Sequence, residues 1–188
     1  MQTPDQIFDI KISLLAIQPQ IWRRLLLPSR ITLPKLHLVL QAAMGWTNSH
    51  LHHFVIGDNR YGEINPDWDG DVMDERRRKL HQFLHEPFDK LTYEYDFGDG
   101  WEHDLILEDS FQATPRQVFP VCIDGKRACP PEDVGGIYGY AEFLNSIRDS
   151  TDPDHERKVT WIGGYFDPEY FNIHETNVLL GRYFPRGA

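Results

Sequence analysis

The chain is poor in cysteine. Only Cys122 and Cys129 occur in 188 residues, so there is no material for a disulfide framework, and such sparse usage fits a reducing cytosol. Six residues separate the two, against about two to four in the usual zinc spacings, and no second pair exists. Structural thiols are the expectation. Positive charge is also short: 19 basic against 29 acidic residues leave a formal net charge of −10. That sign repels phosphate backbones and disfavours direct nucleic-acid binding without a local basic patch. No apolar run approaches the length of a membrane span, so no membrane partner is expected. The start, "MQTPDQIFDIK", has no basic n-region and no apolar stretch, so no signal peptide is expected and cytoplasmic localisation is. P-loop, dinucleotide, G-x-S-x-G and H-E-x-x-H patterns are absent, as are internal repeats.

What is present suits a packed core: 40% hydrophobic and 13% aromatic residues. The length suits one domain over 1–188, with a strand-rich core at about 5–125 and a helical part at about 130–184. Residues 7 to 17 alternate, with Phe8, Ile10, Ile12 and Leu14 on one side, which predicts a half-buried strand. "QIWRRLLLP" predicts a second. Thr32 is placed to cap a helix through "LPKLHLVLQAAM", with Gly45 as its stop. "HLHHFVIG" predicts a third strand and "GDNRYGEI" a short fourth. Residues 76 to 85 read as a short helix. "YAEFLNSIRD" and "DHERKVTWIGG" read as helices, and Asn172 with Glu175 as a capping box for "IHETNVLLGRY". The fold class expected is α+β. A mainly antiparallel sheet would carry a long helix from the N-terminal half, followed by a helical C-terminal part.

"YEYDFGDGWEHDL", residues 93 to 105, reads as an acidic β-hairpin. A three-residue loop, Gly98-Asp99-Gly100, pairs Phe97 with Trp101, Tyr95 with His103 and Tyr93 with Leu105, keeping the aromatics on one face. Asp96 then faces Glu102, and Glu94 faces Asp104. Like charges directly opposite cost about 0.2–1 kcal/mol per pair. Relief has three candidate sources: water and salt, the guanidinium of Arg23 or Arg24, or a bound cation or basic partner. The carboxylates Glu94, Asp96, Glu102 and Asp104 are candidate ligands for a hard ion such as Mg²⁺, Ca²⁺ or Mn²⁺. His50, His52 and His103 form a second candidate set, weighed against partly buried, hydrogen-bonded histidines. "NPDWDGDVMDER" places Asn65, Asp67, Asp69 and Gly70 at calcium-loop positions, but Arg76 stands at the twelfth, so a solvated turn is expected. "RRRK" at 76 to 79 follows several acids and reads as local charge pairing.

Taken together, "IWRRLLLP", "LPKLHLVLQAAMGW", "SHLHHF", "YEYDFGDGWEHDL", "CIDGKRACPPEDVGG", "GYAEFL" and "WIGGYFDPEYFN" resemble, in order, the Ri-plasmid open-reading-frame-three-like family. Its members are also labelled transposon-passenger proteins of resolvase type. The resemblance implies a bacterial or archaeal cytosol and a link to mobile elements, with no established activity. Some relatives carry a third Cys where this chain has Val134, which weighs against zinc on Cys122 and Cys129.

Two functions are carried forward. The first is a non-enzymatic accessory or binding module. Its hairpin and "PPEDVGG" turn would present Tyr95, Asp96, Asp99, Trp101, Glu102, His103, Asp104, Glu132 and Asp133 to a basic protein segment or a cation. The alternative is a metal-dependent hydrolase, a phosphodiesterase or nuclease, with Asp96, Asp99, Glu102 and Asp104 as ligands and His103 as base or ligand. Neighbours on a strand point to opposite faces, so His103 should not converge with Glu102 and Asp104.

Overall fold

The structure, a computed structural model, describes residues 6–64, 71–114 and 117–184. The strands are β1 (Gln6–Leu14), β2 (Trp22–Pro28), β3 (His52–Ile56), β4 (Asn59–Gly62), β5 (Val72–Asp74), β6 (Lys90–Tyr95), β7 (Trp101–Gln112) and β8 (Val121–Lys126). They form one sheet in the order β5-β4-β3-β6-β7-β1-β2-β8. The helices are α1 (Leu33–Met44), α2 (Gly136–Arg148), α3 (His155–Trp161) and α4 (Ile173–Tyr183).

The expected fold class needs correction in two respects. The sheet is mixed, because β5 runs parallel to β4, pairing Arg60 with Val72 and Gly62 with Asp74. The chain leaves β4 at Gly62 and returns to start β5 alongside the start of β4, rather than folding back as a hairpin. The N-terminal-half helix is also not long. α1 has 12 residues, and the other helices are of similar length or shorter still, at 13, 7 and 11. Its limits have plain causes. Pro34 sits in the first turn, where a missing N–H costs nothing, and Gly45 ends the helix in the left-handed conformation at φ 88. Thr32 occupies the N-cap position without a side-chain cap bond. Likewise the helix expected over 76–85 shrinks to a 3₁₀ turn, Leu80–Gln82. Asn65, Asp67, Asp69 and Gly70 of the calcium-loop pattern lie outside the described residues.

α1 is buried nearly all round because the sheet and α4 cover it from different sides. Leu33, Leu36, Val39 and Leu40 join Ile10, Ile12, Leu25, Tyr93 and Leu105 in one hydrophobic cluster. Two polar residues, His37 and Gln41, share this buried surface, one helical turn apart. Both reach the Tyr93 hydroxyl: His37 Nδ1 lies 2.7 Å from it, and Gln41 Nε2 donates to it at 3.0 Å. α4 begins at Asn172, whose Oδ1 accepts from the backbone N–H of His174 and Glu175.

The hairpin differs from expectation in register but not in facing. Tyr95 pairs with Trp101, Glu94 with Glu102, Tyr93 with His103 and Thr92 with Asp104. The expected pairing is displaced by two residues, and a two-residue slip keeps every side chain on its own face. The loop therefore spans residues 96–100. Asp96 closes it in a left-handed conformation, φ 56. Its Oδ1 accepts from the N–H of Gly98 at 3.0 Å and of Asp99 at 3.3 Å, and its carbonyl accepts from Gly100 N–H at 2.6 Å. Asp is one of the few residues whose short polar side chain offsets the cost of that conformation.

Candidate metal centre

The hairpin tip docks on the turn that precedes α2. Asp99 Oδ2 accepts from Gly135 N–H at 3.1 Å. Gly136, at φ 68, lies so near that an added Cβ would meet the Asp99 carbonyl oxygen at 2.5 Å. A glycine is required there for space and for backbone conformation alike. Beside this contact, the Tyr95 hydroxyl donates to Glu132 Oε1 at 3.0 Å and accepts from Ser49 N–H at 3.0 Å. Glu132 Oε1 also accepts from Thr47 N–H at 2.7 Å. Trp46 Nε1 donates to the Pro130 carbonyl at 2.9 Å. The segment after α1, the end of β6 and the "PPED" turn are thus tied through one buried phenol. Burial, with the Glu132 carboxylate nearby, raises the Tyr95 pKa, so the group stays a donor.

This junction brings His50, Asp96 and Asp133 together. One donor atom from each lies within 4.8 Å of the others, the one such trio among the described residues. His50 Nε2 is 3.0 Å from Asp133 Oδ1, 3.6 Å from Asp96 Oδ2 and 3.9 Å from Glu132 Oε2. Yet Nε2 is buried without a hydrogen bond, because the short approach to Asp133 lacks hydrogen-bond direction. Donor atoms sharing one ion at ~2.1 Å sit about 3.0 Å apart in cis octahedral positions and about 3.4 Å apart in a tetrahedron. The His50–Asp133 spacing of 3.0 Å equals the octahedral value, and the 3.6 and 3.9 Å spacings to Asp96 and Glu132 are longer than either. Asp96 is held rigidly, since its other oxygen already caps the loop, while Asp133 stands on the exposed rim.

The remaining sequence candidates lie elsewhere. Glu94 and Glu102 face each other across β6 and β7, and burial, then Glu102, raises the Glu94 pKa. Asp104 pairs with Lys90 at 3.5 Å. The guanidinium relief expected from Arg23 or Arg24 is spent differently. Arg24 forks onto Asp9 at 2.8 and 2.9 Å, and Arg23 is buried, donating to Ala43, Trp22 and Lys126 carbonyls. Tyr95, Trp101 and His103 are core residues, not contact surface. His103 Nδ1 lies 3.2 Å from the Tyr93 carbonyl, and burial lowers the ring's pKa to about 4. That seals it away from the role of base or ligand. His52 parts from His50: its ring stacks on His37 with centroids 3.7 Å apart, and its Nε2 lies 3.1 Å from Glu75 Oε2. Both cysteines are free, with thiol pKa values raised by burial, Cys122 to about 11.

Sequence reasoning missed the His37–His52–Glu75 group. The signal was there in part: His37 and Gln41 are polar residues on the apolar stripe of α1, where a buried hydrogen-bond network is the usual reason for a polar side chain. Nothing in the local pattern pointed to Glu75.

Residues 6–175 match the family model described as plasmid pRiA4b ORF-3-like protein. The chain is similar to uncharacterized protein y4hQ of Sinorhizobium fredii, 38% identical over 170 residues covering 89% of this chain and 87% of that protein. It is also similar to a solved crystal structure, the protein of unknown function MM3350 from Methanosarcina mazei Go1. That likeness has a TM-score of 0.84 at 34% identity, covering 92% of this chain and 98% of the other. The matched span holds the sheet, the hairpin and the turn that assemble the cluster, and this chain belongs to the plasmid pRiA4b ORF-3-like family.

Proposed function

We propose that the protein is a cation-binding module in which His50, Asp96 and Asp133, with Glu132 alongside, hold one divalent ion at the hairpin tip. The observation that carries this reading is His50 Nε2, buried without a hydrogen bond yet 3.0 to 3.9 Å from oxygens of three acids. An imidazole among carboxylates favours a first-row ion, Mn²⁺ or Zn²⁺, over Mg²⁺ or Ca²⁺. The ion would offset the mutual repulsion of the acids and fasten the tip of the hairpin to the turn before α2. Binding is favoured over hydrolysis because His103, which the hydrolase reading offers as base or ligand, is enclosed in the core.

The test is calorimetric titration of chelator-treated protein with Mn²⁺ and Zn²⁺, Mg²⁺ and Ca²⁺ serving as weaker competitors. Asp133→Asn is the informative variant, since that side chain is exposed and its loss leaves the core intact. Affinity should fall about tenfold or more, on the order of 1.4 kcal/mol. An ion-binding isotherm identical in wild type and Asp133→Asn, or no binding of either ion, would remove the proposal.

A further inference from the structure

A cleft of about 470 Å³ opens beside His50, between α1 and the β3–β4 side of the sheet. That volume lies in the range of small-molecule sites, about 300–1,000 Å³. Pro34, Leu38, Leu51 and Ile64 supply apolar wall. The polar wall comes from Glu75, Glu63, Asn48 and the stacked His37–His52 pair. The Glu75 side chain is only 6% exposed, so a carboxylate is buried at the cleft. The guanidinium on the wall, Arg76, is already committed: it forks onto Asp74, with Nε at 3.0 Å and Nη2 at 2.7 Å. Burial, then His52, holds the His37 pKa down at about 4, so that ring adds no charge near neutral pH. The cleft thus combines a buried carboxylate, an aliphatic wall and an arginine paired with Asp74.

We propose that this cleft receives an alkylammonium or alkylguanidinium group, its cation on Glu75 and Glu63 and its aliphatic stem along Leu38, Leu51 and Ile64. The chemistry is that of a lysine or arginine side chain as much as of a free amine. A long basic side chain buries its methylenes on apolar wall and keeps its charged head on acceptors. His52 fixes Glu75 through their 3.1 Å contact, and the ring stack on His37 fixes His52. The carboxylate is therefore in position before a ligand arrives, which lowers the entropic cost of binding. The site stands apart from the ion proposal, although His50 borders both.

The experiment uses chelator-treated full-length protein, so that no divalent ion competes. One arm titrates butylamine and butylguanidine. The other titrates a capped Gly-Gly-Arg-Gly-Gly peptide and the same peptide with citrulline, the neutral isostere of arginine. Chemical-shift changes of the histidine ring protons report occupancy. The cationic probes should bind at millimolar concentration or below, and citrulline should lose about tenfold or more. Glu75→Gln should abolish the preference, whereas Asp133→Asn, which tests the ion site, should leave it unchanged. Ile64→Arg alters an exposed wall residue and places a competing guanidinium at the cleft. It should weaken binding even if Glu75→Gln fails to fold. A peptide bound about tenfold or more tightly than butylguanidine identifies a protein segment as the source; equal affinities identify a free amine. Citrulline and arginine peptides binding alike, or no cationic probe binding, overturns the proposal.

Discussion

Acid should destabilise this fold through two histidines that folding holds neutral. Burial holds His103 and His37 at pKa about 4, against an ordinary 6.5. His103 has its Nδ1 on the Tyr93 carbonyl, and His37 stacks on His52. In the unfolded chain both take up protons near their ordinary value. A depressed histidine pKa gives stability that is complete above about pH 6.5 and is lost as pH falls toward the folded value. At pH 4.5 an unfolded-state pKa of 6.5 against a folded one of about 4 amounts to roughly 2.5 kcal/mol per histidine, or about 5 kcal/mol for both. For a protein of this size, ~2–4 °C per kcal/mol converts that to a fall of about 10–20 °C in Tm. Carboxylates held below their ordinary range, such as Asp89 and Asp149, add to the loss only at lower pH. The assay is urea denaturation at half-unit steps from pH 7.5 to 4.5, on wild type and on His103→Gln. The variant amide can still donate to the Tyr93 carbonyl but takes up no proton. The slope of stability against pH should be shallower in His103→Gln by up to one proton, about 1.4 kcal/mol per pH unit. Parallel slopes in the two proteins would refute the assignment of a neutral, sealed His103.

Two further predictions probe the junction under the ion site. Gly136→Ala places a methyl group 2.5 Å from the Asp99 carbonyl at a positive φ and should cost about 2–4 kcal/mol by denaturant midpoint; a wild-type midpoint would show that the tip does not press on the turn. Tyr95→Phe removes the donor to Glu132 and the acceptor for Ser49 N–H, and should lower stability by about 2–3 kcal/mol, or ~5–10 °C by calorimetry. An unchanged Tm would mean that the phenol does not hold these three segments together.

The parts of this fold legible in the sequence are those governed by neighbours along the chain. Alternation placed β1, Pro34 and Gly45 bounded α1, and Asn172 with Glu175 marked the start of α4. Parity of the hairpin faces was also legible, because aromatics at every second position demand one side. Register was not. Whether Tyr95 meets Trp101 or His103 depends on where the strand stops. It stops at Asp96 because that side chain caps the loop while Tyr95 is anchored to Glu132 and Ser49. Nor could local pattern reveal that β5 would lie parallel to β4, since the crossover is a matter of where the chain returns. The polar cluster of His37, His52 and Glu75 was hidden for the same reason: its members belong to α1, β3 and the segment after β5, and only packing joins them.

The acids of the hairpin, alike in sequence, divide their labour once folded. Asp96 caps the loop and offers its second oxygen to His50; Asp99 takes the N–H of Gly135; Asp104 meets Lys90. Only Glu94 and Glu102 remain opposed on the ribbon itself. Besides that pair, acids gather at the tip, where the "PPED" turn adds Glu132 and Asp133 to Asp96. Repulsion among carboxylates gathered so closely would drive the tip and the turn apart unless hydrogen bonds or a cation hold them. Tyr95 and Thr47 supply the hydrogen bonds for Glu132 and Gly135 supplies one for Asp99, whereas Asp133 lies 3.0 Å from His50 Nε2 without a hydrogen bond to it. A cation at that point would complete the pattern by which the other tip acids are satisfied.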